Sequence, residues 1–207
     1  MHKTKKNIYF MSGNSALKVG FAYSSYRFPS LSNRNKDLEE MSQLPFNYTL
    51  KHIMFKRGKT SYDDDFSKVD IIWPDCMPNS EAFFLCSEKL KKLLDEYIKE
   101  DDGVKWISCD VIKAEEKRVY YIPFFTKEFD VLNVDSCLYY DVDGERTLLK
   151  PVFSWAKLKD YSVLTISRDS SDFWKCSSGI LVVEDIKKRV KEECIIGLSF
   201  EQLAVSD

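Results

Sequence analysis

Two amphipathic segments with matching residue patterns lie 96 residues apart, and this internal likeness constrains the fold more than any other feature of the sequence. In the segments 88–100 and 184–194, apolar residues recur at the spacing of one helix face, with Lys and Glu opposite. Ser87 precedes the first segment as a potential N-cap, and Gly103 and Gly197 follow the two segments, as glycines often do at helix ends. Each segment is therefore predicted to be a helix that packs an apolar stripe on another element.

A shift of 96 residues superposes identical residues in and just before the two segments. They pair as Leu85/Leu181, Glu88/Glu184, Lys91/Lys187, Lys92/Lys188 and Glu96/Glu192. Upstream, with a two-residue gap, 69–75 aligns with 163–169, and each is an apolar strand that ends in Asp. The period is too long for a solenoid, whose repeats have about 20–50 residues, so the sequence favours a duplicated unit that shares one sheet or core. Chance similarity between two amphipathic helices is the alternative.

The predicted fold class is α+β, with a duplicated strand-helix-strand unit on an antiparallel or mixed sheet. The two units span about 48–112 and 137–205 within one domain, 48–207. We expect 1–47 to be an irregular basic N-terminal extension, because Ser, Asn and basic residues surround short apolar pieces there. Asp143-Gly144 is the strongest turn signal, since both residues tolerate the positive φ of a type I′ hairpin, and a second hairpin turn is predicted at 57–58.

The charge is balanced in total but not along the chain. Residues 1–60 carry 11 Lys or Arg against 3 acids, and residues 61–207 carry 20 against 30, a net charge of −10. The near-neutral total gives no global reason for the chain to bind nucleic acid or an anionic membrane. The basic part could bind an acidic partner, or it could attract the acidic part of the same fold.

Composition also bears on the compartment. No segment approaches the about 20 apolar residues that cross a bilayer, and the start lacks the apolar region of a signal peptide. The six cysteines contain no C-x-x-C pair and are expected to be reduced thiols packed in the core. These features predict a cytoplasmic protein with no membrane partner.

Motifs for catalysis and cofactor binding fail at defining positions. Only His2 and His52 are available for metal ligation or acid–base chemistry. The segment 58–60 lacks the glycine that a phosphate-binding loop needs five positions earlier, and 141–152 has Arg146 where a calcium loop needs glycine. The sequence predicts no catalytic residue, no metal and no cofactor. A small enzyme with a site built from scattered carboxylates and tyrosines, or a scaffold module of a larger assembly, remain alternatives.

Several motifs follow one another in a recognisable order over roughly 69–203. They are Phe84-Leu85-Cys86-Ser87-Glu88-Lys89-Leu90-Lys91, Val119-Tyr120-Tyr121, Phe129-Asp130-Val131-Leu132-Asn133, Asp143-Gly144-Glu145, and a closing 177–187 followed by Ile196-Gly197-Leu198-Ser199-Phe200. This order resembles immunity proteins of bacterial polymorphic-toxin systems, in particular the eleventh numbered immunity family, with the forty-third as a relative. Val183 departs from the pattern, because the family usually has a capping Ser or Asp there.

The resemblance implies a cytosolic antidote that binds a cognate toxin domain and neutralises it by stoichiometric occlusion. Aromatic and arginine side chains next to acids are typical interface anchors. Two segments that precede the predicted helices combine such residues, and a duplicated fold could bring both to one edge, with the acids steering a basic toxin. The hypothesised partner-binding residues are Trp73 and Asp75 before the first helix, and Arg168, Asp169, Asp172 and Trp174 before the second.

Overall fold

The computed structural model describes residues 7–14, 20–26, 28, 31–56, 58–63, 65–66, 71–142, 144–169 and 172–206. Within these ranges the chain forms an α+β fold rich in strands, as the sequence predicts. No helix in the same ranges combines the length and apolar character needed to cross a membrane.

The strands are numbered in chain order over the described residues. They are β1 (Ile8–Gly13), β2 (Phe21–Tyr23), β3 (Tyr48–Lys56), β4 (Lys59–Asp63), β5 (Cys76–Met77), β6 (Leu85–Ser87), β7 (Val104–Lys113), β8 (Glu116–Phe125), β9 (Leu138–Val142), β10 (Glu145–Lys150), β11 (Val152–Ser154), β12 (Val163–Leu164), β13 (Gly179–Val183) and β14 (Leu198–Ser206). The α-helices are α1 (Leu31–Glu40), α2 (Glu88–Asp95), α3 (Trp155–Leu158) and α4 (Glu184–Glu192), and short 3-10 helices form at Glu100–Asp102, Val134–Ser136 and Asp172–Cys176.

These strands form two main sheets and a separate hairpin. The first sheet has the order β2-β3-β7-β8-β6-β5, with β4 also paired to β3, and the second has the order β11-β14-β1-β13-β12. One part of the hydrophobic core joins β1 and β13 to α2 and α4, and the other part lies on the opposite face of the first sheet with residues from α1. Adjacent side chains of β6 lie on opposite faces of the first sheet, so Cys86 packs in the first part of the core and Leu85 in the second.

The two predicted units share their connectivity. In each, a two-residue strand pairs antiparallel with the strand that leads directly into the helix, giving β5-β6-α2-β7 and β12-β13-α4-β14. In each, one antiparallel strand also lies between the strands before and after the helix. That central strand is β8 in the first unit, whereas it is β1 in the second. The predicted fold of two similar strand-helix-strand units on mixed sheet is therefore confirmed.

The expected irregular N-terminal extension over 1–47 is wrong for its described parts. β1 is the central strand of the second sheet, and Ile8 and Met11 are fully buried. Further along, Leu38 of α1 packs in the core beside Tyr48 and Leu50 of β3. A short apolar run among polar residues was sufficient for a buried strand because its neighbours in the sheet supply the remaining apolar surface.

The helix ends observed in the structure match most of those predicted from the sequence. The Ser87 hydroxyl accepts a hydrogen bond from the Leu90 amide at 3.2 Å and caps α2. No side-chain bond caps α4, where Val183 occupies the corresponding position. The helix predicted over 88–100 is shorter, because α2 ends at Asp95 and a separate 3-10 turn follows.

Both predicted hairpins form, as β3–β4 and β9–β10. Gly58 and Gly144 have positive φ in their turns. Residues 57 and 143 of the two turns lie outside the described residues, as do 69 and 70 of the predicted upstream strand. The prediction of a strand is wrong for its described part, 71–75, because the strand that corresponds to β12 is β5, which begins at residue 76.

The thiols follow the predicted core packing only in part. Four are buried, and burial raises the pKa of each well above its ordinary value; they are Cys76, Cys86, Cys109 and Cys176. Cys137 is half-buried. The prediction is wrong for Cys194, which is exposed in the turn after α4, where its φ is +52°.

Candidate partner-binding site

A cavity of about 410 Å³ lies on one face of the second sheet. Alternation along β1 places Tyr9 on the opposite face, where the Lys187 ammonium of α4 lies 3.9 Å from its ring centre. The cavity face carries Phe10, with Leu181 of β13 and Glu201 of β14 as its direct cross-strand neighbours. The helix α4 therefore covers one side of this sheet, and the cavity opens on the other.

The position of Phe10 depends on a glycine in the neighbouring strand. A Cβ atom at Gly179 would overlap the Phe10 ring and would lie 2.8 Å from the Met11 carbonyl oxygen. The missing side chain leaves room for the ring beside β13, where it forms part of the cavity wall.

A second cavity of about 370 Å³ adjoins the first and shares several of its residues. The shared residues are Phe10, Pro151, Arg168, Glu201 and Leu203. We call the two cavities together the sheet groove. The first cavity ends at the 3-10 helix Asp172–Cys176, and the second extends to Leu149 at the end of β10.

The second predicted cluster lies at the sheet groove. Arg168, Asp169 and Trp174 line it, and Asp172 begins the adjacent 3-10 helix, with its carboxylate 3.5 Å from the Lys175 ammonium. Arg168 and Asp169 are exposed. Trp174 is partly buried against the core, and its carbonyl oxygen accepts a hydrogen bond from the Thr165 hydroxyl at 2.9 Å.

Phe173 is a groove residue that the sequence reasoning did not select. Its side chain is 44% exposed and lines the cavity, whereas the neighbouring Trp174 turns partly into the core. The signal available in the sequence was the Phe-Trp pair itself, but a pattern of two adjacent aromatics does not reveal which one faces outward. Phe173 is thus the more accessible of the two aromatic side chains at the groove.

Trp73 and Asp75 lie outside the sheet groove. The Trp73 ring stacks on Tyr120 with centres 6.4 Å apart, and the Arg118 guanidinium lies 4.5 Å from the Trp73 ring centre. The Asp75 carboxylate accepts hydrogen bonds from the Ser87 hydroxyl at 2.7 Å and from the Ile196 amide at 3.0 Å. Asp75 thus ties the cap of α2 to the loop of the other unit, which is a structural role.

The ionisable side chains of the first cavity are one guanidinium and two carboxylates, from Arg168, Asp169 and Glu201. Lys150 lines the second cavity, so the sheet groove as a whole has two cationic and two anionic side chains, and the nearby Asp172 is paired with Lys175. Apolar walls with both signs of charge at the rim suit an apolar side chain that is flanked by polar or charged groups. Among the described residues, no group of three His, Cys, Asp or Glu side chains converges in a way that could hold a metal ion.

No model of a known protein family matches the chain, and no curated protein is significantly similar to it. The relationship to immunity proteins therefore stays a prediction from the motifs quoted above.

Proposed function

We propose that the chain is an immunity protein, which binds a cognate toxin domain in the cytoplasm and blocks it by stoichiometric occlusion rather than by catalysis. The observation that carries the proposal is the sheet groove, where the exposed Phe173 ring and an arginine border a cavity with apolar walls. Aromatic and arginine side chains beside a pocket are the usual anchors of tight interfaces.

Charge supports a basic partner. Residues 61–207 carry 20 basic against 30 acidic residues, and the groove lies in this part of the chain apart from Phe10. A net negative surface speeds association with a positively charged toxin, for example one that acts on nucleic acid. Fast association matters for an antidote because the toxin must be captured before it acts.

The test uses the protein encoded beside this chain's gene, in an inactivated form, as the binding probe. Phe173→Ala should weaken binding by about 30-fold or more, which corresponds to the about 2 kcal/mol lost at a true anchor. Tyr62→Ala is a matched control, since Tyr62 is an aromatic residue on the first sheet with a similar exposure of 43%. A folded Phe173→Ala protein that binds as tightly as the wild type would contradict the groove as the binding site.

The cavity volume also favours a second candidate function. Sites for small molecules commonly have about 300–1,000 Å³, and the first cavity, at about 410 Å³, falls within that range. A small enzyme or ligand-binding protein would then use the same walls. Neighbouring genes separate the two candidates, because an adjacent toxin gene is expected for an immunity protein and an operon of metabolic genes for an enzyme.

A further inference from the structure

The hairpin β9–β10 exposes a concentrated set of apolar side chains. Of the ten large hydrophobic residues that are exposed in the described part of the chain, four lie between 134 and 149. They are Val134, Leu138, Tyr140 and Leu149, each about half exposed. Scattered apolar residues are ordinary on protein surfaces, but a local group of this kind marks an interaction site.

One face of the hairpin anchors it to the rest of the protein. Tyr139 and Leu148 are cross-strand partners; Leu148 is buried and Tyr139 packs on the core. The Arg146 guanidinium lies 3.8 Å from the Tyr139 ring centre. Because side chains alternate along a strand, Leu138 and Tyr140 belong to the opposite face. The hairpin therefore holds a stable position while it presents an apolar face outward.

This outward face is continuous with the sheet groove. Leu149 lies where the β9–β10 register shifts, between Leu148 and Lys150, and it lines the second cavity together with Phe10 and Glu201. A partner seated in the groove would thus reach the hairpin without crossing another element. The groove alone is small compared with the about 800 Å² that each partner buries in a stable complex, so contact beyond it is needed.

The charge around the hairpin indicates what kind of surface it fits. The hairpin 138–150 contains three acids and two basic residues, and the side chains of Asp141 and of Asp135, just before the hairpin, are exposed. We infer that Leu138, Tyr140 and Leu149, which we call the hairpin face, form the second part of the toxin-binding surface and contact an apolar patch ringed by Lys or Arg. This inference rests on the proposed function, and it adds a surface to it.

The experiment measures binding of the same inactivated neighbouring protein to a Leu138→Ser/Tyr140→Ser variant. Both side chains point outward, so the variant should keep the thermal stability of the wild type while its affinity falls by about 30-fold or more. Val119→Ser on the first sheet is the control, because Val119 is also an exposed apolar strand residue. Asp141→Lys, which changes charge only, should lower the association rate and reduce its dependence on salt.

The outcomes separate the two proposals. If the wild-type chain binds, Phe173→Ala weakens binding and all hairpin variants bind as the wild type does, the hairpin inference is wrong and the proposed function stands. If the wild-type chain does not bind the probe, both are wrong. If sedimentation shows wild-type dimers that the double variant abolishes, the hairpin face joins two copies of this chain, which overturns the inference. Should the double variant unfold, Asp141→Lys alone decides.

Discussion

Replacing Gly197 by alanine should destabilise the protein through the contact between its two units. Gly197 has a φ of +86° in the loop between α4 and β14. Its carbonyl oxygen accepts a hydrogen bond from the Asn14 amide at 2.8 Å, just after β1. A Cβ atom here would lie 2.6 Å from the Pro74 Cβ and 2.7 Å from the Cys76 carbonyl oxygen. These are atoms of a proline ring and of backbone, so they cannot move aside as a flexible side chain can.

The loss in free energy of unfolding has two parts, a backbone part and a steric part. A control substitution at Gly144 distinguishes them. Gly144 has nearly the same φ, +85°, but no atom lies within 4 Å of its hypothetical Cβ. Gly144→Ala should therefore cost only the about 1–2 kcal/mol of placing an L-residue in the left-handed region. Gly197→Ala should cost that amount plus the about 1–3 kcal/mol typical of overpacking, for a total of about 2–5 kcal/mol.

Urea unfolding of the wild type and the two variants, followed by circular dichroism, gives the free energies of unfolding. The difference between the variants isolates the steric part because their φ angles match. If Gly197→Ala is no less stable than Gly144→Ala, then the loop after α4 is not packed against Pro74 and Cys76, and the close contact between the units is wrong.

Three further predictions follow from burial and hydrogen bonding. In native protein a thiol reagent should modify Cys194 rapidly and the four buried thiols slowly, whereas all six cysteines should react at once in denaturant; equal native rates, read by mass spectrometry, would contradict the packing. Asp75→Ala should lower the free energy of unfolding by about 1–3 kcal/mol, because the Ser87 hydroxyl and an inter-unit amide lose a carboxylate acceptor, while an exposed Asp160→Ala control should change little in the same urea titration. The interaction of the Tyr121 hydroxyl with the Glu88 carboxylate lowers the pKa of Glu88 below its ordinary 4.5 and raises the pKa of Tyr121 to about 12. Ionised Glu88 therefore stabilises the fold above about pH 4.5, and this stabilisation is lost as the pH falls through the lower pKa of the folded state. Protonated Tyr121 stabilises the fold below pH 10, and this stabilisation is lost as the pH rises toward 12. Glu88→Gln should move the pKa of Tyr121 back toward 10.0, as measured by NMR titration. An unchanged pKa would exclude the interaction between Tyr121 and Glu88.

The sequence predicts those parts of the fold that depend on local pattern. The two helices, the Ser87 cap and the glycines Gly103 and Gly197 are all read from residues within a few positions of one another, and both glycines have positive φ in the structure. The internal likeness then relates the two units. The sequence does not indicate that β1 pairs with β13 and β14, because such pairing joins residues about 170–195 positions apart and leaves no local periodicity.

The candidate site likewise combines a part that a local pattern predicts with a part that depends on distant segments. Four of the six predicted residues come from one segment, 168–174, and the structure places its described residues, 168–169 and 172–174, at the sheet groove. The groove's other wall comes from β1 and β14, so no local window contains it. Asp75 aligns with Asp169 in the sequence, yet Asp75 binds the other unit while Asp169 lines the cavity. The same residue type thus takes two different roles in the two units.

The different origin of the two central strands explains why the related units are not equivalent. In the first unit, β8 follows β7 through a tight turn, so helix, hairpin and sheet form from neighbouring residues. In the second unit, β13 and β14 are hydrogen-bonded to a strand from residues 8–13, and the sheet is complete only when distant segments meet. Long-range pairing carries a larger loop-closure entropy and forms more slowly than local pairing. The first unit binds the loop of the second unit through Asp75 and Cys76. The sheet groove has β1 in its wall, so it forms only when the long-range pairing of β1 with β13 and β14 is in place.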